Sequence, residues 1–232
     1  IILELEMEAH FEEEVSTHNI IGEIEGSDYP NEIVLLGGHI DSWDVGPQSG
    51  ANDDAAGFMV CLEAVRLLLK LNLRPKRTIR FIAWSGEEFL DKNSGGPFYV
   101  KYHSSQLNDH IIAFESDAGT TDILGWGFSG GKNGFELFSK IHKEYLSKKL
   151  DMDKLVYGDG KMVDTTPLFE SGIPVVRNLI KDTEDSEYYF TYHHSAGDSV
   201  SVLSKEDMDK NVISIASMFY IIADIPQRFP RN

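Results

Sequence analysis

The chain of 232 residues contains one cysteine, Cys61, so no intrachain disulfide holds it together. Basic residues are scarce as well: 21 lysines and arginines stand against 38 acidic residues, a net charge of −17. A field of that sign repels phosphate backbones and anionic lipid surfaces, keeps a protein in solution and draws in cations. Neither nucleic acid nor a membrane is therefore an expected partner. No run approaches the ~18 uninterrupted apolar residues of a membrane span. The longest apolar stretch, residues 212–225, reads as an amphipathic or buried helix. Asn-x-Ser/Thr sequons are absent, which removes one sign of secretion without excluding it. The chain opens on Ile1 with no basic segment leading into an apolar one, so a fragment or a processed chain lacking an N-terminal region is expected.

What is present is an ordinary globular composition, 41% hydrophobic and 25% charged. A chain of this size buries enough surface to fold without a structural metal, so any metal it holds is expected to be functional. One domain spanning residues 1–232 is expected, with no internal repeat. Near the start, Leu3, Leu5, Met7, Ala9 and Phe11 alternate with glutamates, a period of two that predicts a half-buried strand, paired with a second at residues 20–24. The continuous apolar run at residues 32–38 suits a strand buried on both faces, followed by a loop at 45–50 and a helix at 53–71. Further strands are predicted at 77–84, 109–115 and 173–177, and helices at 98–103, 131–149 and 166–171. Ser204 to Asp207 has the pattern of a helix cap, opening a last helix that carries Met208, Val212, Ile215 and Phe219 at helical spacing. Strands alternating with helices predict an α/β fold, a three-layer α/β/α sandwich on a mixed, largely parallel sheet.

Five polar clusters fall at predicted strand ends or in the loops that follow, where ligand sites of open α/β sheets lie. In extended chain His39 and Asp41 project to one side, the arrangement of a metal-bound imidazole oriented by a carboxylate. Asp53 and Asp54 precede a helix; one carboxylate has two oxygens and can join two ions while its neighbour makes local contacts. Glu87 and Glu88 are adjacent and must point differently, so one can ligate while the other faces substrate. Asp117 closes a Glu-Ser-Asp cluster, and His193 and His194 open a loop that reaches Asp198. Mixed imidazole and carboxylate donors suit zinc better than calcium or magnesium.

The stretches GGHIDSWDVG (residues 37–46), LRPKRTIRF (73–81), ESDAGT (115–120) and HHSAGD (193–198) resemble the co-catalytic di-zinc exopeptidases, a family of aminopeptidases and carboxypeptidases. The likeness runs over nearly the whole chain from about residue 23. It implies two zinc ions per chain: His39 and Asp117 on one, Glu88 and His194 on the other, and Asp53 bridging them across a cis Asp53-Asp54 peptide. It makes Glu87 the general base and Asp41 the group that orients His39. His193 stands where many relatives have a tyrosine beside the oxyanion, and Asp164 near an acidic position of the pocket, facing substrate or capping the helix at Thr165. The implied function is a metallo-exopeptidase that hydrolyses dipeptides or short peptides, of the carboxypeptidase or dipeptidase type. Aminopeptidase action is the nearest alternative; a one-zinc glutaminyl-cyclase-like enzyme and a non-catalytic relative are further ones. The resemblance also implies a secreted or lysosomal homodimer.

Overall fold

The computed structural model describes residues 2–8, 10, 12–43, 48–181 and 187–231. Seven strands form one sheet: β1 (Ile20–Ile24), β2 (Tyr29–His39), β3 (Arg77–Trp84), β4 (His110–Glu115), β5 (Ile123–Ser129), β6 (Lys154–Tyr157) and β7 (Val175–Ile180). Their spatial order is β1-β3-β2-β4-β7-β5-β6. The central strands β3, β2, β4 and β7 run parallel, β1 lies antiparallel to β3, and β5 lies antiparallel to β7. The sheet is thus mixed with a parallel centre, as the alternation of elements predicted.

Period two along β2 decides the layers. Val34 and Leu36 pack on one face, with α1 (Ala56–Lys70), α3 (Lys132–Ile141) and the long C-terminal helix, residues Lys205–Asp224. Ile33 and Leu35 pack on the other, with Trp84, Tyr99 of α2 (Gly95–Tyr102) and Leu168 of the short helix Thr166–Glu170. Burial on both faces explains why residues 33–36 of β2 and 111–114 of β4 read as unbroken apolar runs, whereas β3 keeps Arg77, Thr78 and Arg80 among its buried residues. The C-terminal helix starts as expected, with Ser204 Oγ accepting from the Asp207 N–H at 3.4 Å.

Several expectations shift. The segment before residue 19 is not a strand: its described residues carry no regular structure, and Leu3, Leu5 and Met7 are 90%, 82% and 72% exposed. Alternation prepares a strand but supplies neither a paired edge nor a surface to cover, and β1 pairs with β3 instead. Ala9 and Phe11 lie outside the described residues, as do residues 45–47 of the predicted loop. The helix predicted from Asp53 begins at Ala56, because Asp53 (φ −128°, ψ 86°) and Asp54 (φ −134°, ψ 28°) are not helical. The helix predicted over 131–149 is interrupted by a wider turn at His142–Leu146 and ends in α4 (Ser147–Leu150). Strands β5 and β6 and the helix Glu187–Tyr192 are additional.

A buried polar chain links the sheet to α2. Arg80 binds Glu23 through Nε (2.6 Å) and the Tyr99 hydroxyl through Nη1 (2.7 Å). Tyr99 donates to His110 Nε2 at 2.7 Å, and His110 Nδ1 donates to the Gln106 carbonyl at 2.9 Å, which assigns a neutral imidazole. Burial, with the nearby Arg80, His103 and Arg231, pushes His110 down to about 4 from an ordinary 6.5. A depressed histidine contributes stability that is full above 6.5 and is lost as pH falls toward 4. Chemical denaturation at pH 7 and pH 4 is expected to show the wild type losing about 3 kcal/mol more than His110→Gln over that interval. Equal losses would mean that His110 is charged in the fold.

Candidate metal centre

Strands β2, β3 and β4 end on the same edge of the sheet, and the chain leaves β2 for β3 on one side and returns to β4 on the other. Such a reversal opens a crevice at the strand ends. His39 is the last residue of β2, Glu87 and Glu88 form a tight turn after β3, and Asp117 lies two residues beyond β4. Asp53 comes from the irregular turn before α1, and its bond to Asp54 is cis, as the resemblance implied. His193 and His194 follow the helix Glu187–Tyr192.

The geometry brings these side chains together. His39 Nε2 lies 3.4 Å from Asp53 Oδ1 and 3.5 Å from Asp117 Oδ1. His194 Nε2 lies 3.5 Å from Asp53 Oδ2 and 2.9 Å from Glu88 Oε2. The two oxygens of Asp53 therefore face different donor sets. Donors held about 2.0–2.2 Å from one tetrahedral zinc stand about 3.3–3.6 Å apart, the spacing found around His39 and Asp53. His39 Nε2, Asp53 Oδ2 and Glu88 Oε1 are buried without a hydrogen-bond partner among the described residues. Buried polar atoms left unpaired are costly, and a cation would satisfy all three. The residues fit zinc.

A second set of contacts fixes the first. The Asp41 carbonyl lies 2.9 Å from His39 Nδ1, while its carboxylate stands 3.7 Å from that nitrogen. The carboxylate instead accepts the amides of Gly86 (2.8 Å), Glu87 (3.2 Å) and Glu88 (3.2 Å). Asp41 thus touches the imidazole mainly through its backbone and holds the glutamate turn with its side chain. Asp54 accepts the His39 amide at 3.0 Å, and its carboxylate fills the space that side chains at Gly38 and Gly57 would need. Asp198 accepts the amides of Asn52 (2.6 Å) and Asp53 (3.1 Å), tying the histidine loop to the aspartate turn.

Charge crowding shows in the proton equilibria. Burial and the charge of Asp117 push Glu87 up to about 8. Burial opposes a charge on His39, yet hydrogen bonds to Asp117, Asp41 and Asp53 prevail and hold its imidazole well above the usual range. Asp53 is held low: burial opposes this, and contact with His39 outweighs it.

Above the cluster lies a cavity of about 630 Å³. Asp53, Glu87, Glu88, Asp117, His193 and His194 line it together with the apolar Trp43, Leu90, Val163, Ile180 and Phe190. His193 Nε2 is 3.4 Å from Asp53 Oδ2, and its ring stacks on His194 at 3.6 Å. Trp43 stacks on His194 at 4.4 Å. Asp164 does not reach the cavity. It is fully buried, with Oδ1 accepting the Gly96 amide, and the helix at Thr165 has no side-chain cap. Its neighbours Met162 and Val163 form the wall that it supports from behind.

Two residues enter that sequence reasoning did not assign. Tyr189 donates its hydroxyl to Asp53 Oδ1 at 3.0 Å, and burial with the Asp117 charge raises its pKa, so it stays a phenol. It lies one helical turn before His193, and that spacing was its only signal. Arg177 lines the cavity from β7.

The family described as Peptidase family M28 matches residues 19–218. Carboxypeptidase Q of Mus musculus is 33% identical over 232 residues, 100% of this chain and 47% of that protein. Among solved structures, a peptidase M28 precursor from Shewanella amazonensis superposes with a TM-score of 0.78 at 32% identity, over 92% of this chain and 46% of the other. A zinc aminopeptidase from Bacillus subtilis gives 0.72 at 26% identity, over 92% and 52%. The chain spans about half the length of the curated relatives it matches.

Proposed function

Because the chain belongs to peptidase family M28, we propose that it is the catalytic domain of a zinc-dependent exopeptidase that cleaves dipeptides or short peptides in the manner of carboxypeptidase Q. The observation that carries this is the placing of Glu87 in the same cavity as a two-faced Asp53, between His39 with Asp117 and Glu88 with His194. Those five residues would hold two ions, Asp53 shared between them. Zinc bound there supplies Lewis acidity, polarising the scissile carbonyl and acidifying a water.

Glu87 takes the proton of the attacking water and passes it to the leaving amine, so one carboxyl serves first as base and then as acid. Glu87 lines the cavity with Asp53, Glu88, Asp117 and His194, and its Oε2 stands 3.9 Å from His39 Nε2. Asp41 positions Glu87 and Glu88 through their amides. Trp43 and the apolar walls line the space in which the reacting bond would lie. His193 and Tyr189 face the bridging carboxylate and serve the developing oxyanion or the substrate. His193→Ala is expected to lose more than about tenfold in kcat with zinc retained. A smaller loss would remove His193 from the catalytic set.

Aminopeptidase action is the second reading, favoured by the likeness to the Bacillus subtilis zinc aminopeptidase. A panel of free, N-blocked and C-amidated dipeptides separates the two, since blocking the recognised terminus abolishes turnover. Failure to cleave any of them would overturn the peptidase assignment. The same reading carries a secreted or lysosomal location and a homodimer. A monomer on gel filtration would remove the latter. No helix among the described residues is long and apolar enough to cross a membrane.

A further inference from the structure

We propose that Asn19 is a positioning residue for hydrolysis, its carboxamide closing the neck of the loop that presents Glu87 and Glu88; this rests on the peptidase reading above. That loop runs from Ser85, just past β3, to Gly95, the first residue of α2. Both glutamates sit on its first turn. Residues 89–93 on its far side meet solvent, Phe89 and Leu90 being 76% and 72% exposed. The direction in which the glutamates point is therefore set by what holds the loop at its base. Asp41 supplies one hold, through the amides of Gly86, Glu87 and Glu88. Asn19 supplies the other.

The ladder between β1 and β3 ends at the pair of Ile20 and Ala83. One residue beyond it, the Asn19 side chain carries on where the backbones part. Its Oδ1 accepts the Ser85 amide at 3.0 Å, and its Nδ2 donates to the Gly95 carbonyl at 3.0 Å. The Gly95 amide in turn donates to the Ser85 carbonyl at 2.8 Å, so one planar carboxamide and one backbone bond close a ring across both ends of the loop. Ser85 and Gly95 are buried, and their backbone groups need partners within the protein. Asparagine offers a donor and an acceptor in one plane, and a single orientation of the amide serves both. Thr17 Oγ1 adds a contact to Ser85 Oγ at 2.6 Å. From Ser85 the chain reaches Glu87 through Gly86, whose φ of +82° makes the sharp turn. A shift at the neck thus moves Glu87 against the attacking water and Glu88 against His194. His39 and Asp117 lie outside the loop and stay in place.

The test compares wild type, Asn19→Ala and Asn19→Asp, with Thr78→Val as a control. Thr78 is buried at the opposite end of β3, where its hydroxyl accepts the Gly26 amide at 3.1 Å and donates to the Pro30 carbonyl at 2.7 Å. Steady-state hydrolysis of an unblocked dipeptide, calorimetry of zinc binding to the metal-free proteins and amide exchange at Ser85 are read on each. Losing a group that orients a metal ligand costs about 10- to 100-fold in affinity or activity. Asn19→Ala is expected to lower kcat by about that factor with KM within about twofold, and to weaken the zinc ion of Glu88 about as much while the other binds as in wild type. Its Ser85 amide should exchange faster already without metal. Asn19→Asp keeps the acceptor and loses the donor, giving the same split at smaller size. Wild-type kcat and zinc affinities in Asn19→Ala, equal weakening of both ions, or the same losses in Thr78→Val overturn the proposal. Should Asn19→Ala not fold, the split in Asn19→Asp decides by the same criteria. If wild type hydrolyses nothing, the peptidase reading fails, and selective weakening of one zinc ion still decides the role of Asn19.

Discussion

Glu87→Gln is expected to lower kcat by about 10² to 10⁴-fold while leaving zinc content unchanged. Glutamine keeps the size of the side chain and removes its ability to take a proton. Glu87 is the one carboxylate of the cluster pushed up to about 8 while facing the cavity, and its backbone is fixed by Asp41 rather than by its own side chain. The turn around it should therefore survive the change. Glu88→Gln makes the contrast, because Glu88 Oε2 meets His194 Nε2 at 2.9 Å and its loss should appear first as lost metal. Rates under saturating dipeptide, with elemental analysis of the same samples, check both variants. If Glu87→Gln keeps a tenth or more of the activity, the proton moves through another group.

Asp53→Ala is expected to abolish activity and to leave the protein with less than one zinc per chain. Its two oxygens face His39 on one side and His194 on the other, so a single substitution takes a donor from both sets. The metal-free variant should also be less stable than the metal-free wild type, since the ionised Asp53 is held by His39 and accepts from Tyr189, and its loss leaves both without that partner. What disappears is the zinc-dependent rise in melting temperature, which needs a ligand that binds the folded state. Melting curves with and without zinc read both effects. A rise equal to that of the wild type would show that Asp53 is not shared between ions.

Much of this centre was legible because its parts sit at the ends of strands whose apolar runs are unmistakable. Burial on both faces made the apolar runs of β2 and β4 continuous in the sequence, β3 reads as a strand despite Arg77 and Arg80, and His39, the Glu87-Glu88 pair and Asp117 follow these strands directly. The missed elements have physical causes. β5 carries Gly125 and Gly127 because a neighbouring backbone crosses close to each, and the glycines dilute its apolar pattern. β6 is a four-residue edge strand with Val156 and Tyr157 partly exposed, too short to show a period. The alternation before residue 19 announced a strand that the sheet did not need. Tyr189 and Arg177 reach the cavity through tertiary register, which no local pattern encodes. Asp164 illustrates the reverse: an acidic residue in the right part of the chain, buried behind the wall by its bond to Gly96.

A zinc titration of metal-free protein, followed by calorimetry and by hydrolysis of an unblocked dipeptide, tests the two-ion centre most directly. Two equivalents are expected to bind per chain, with full activity reached only when both are present. Saturation at one equivalent, or hydrolysis by the metal-free protein, would contradict this.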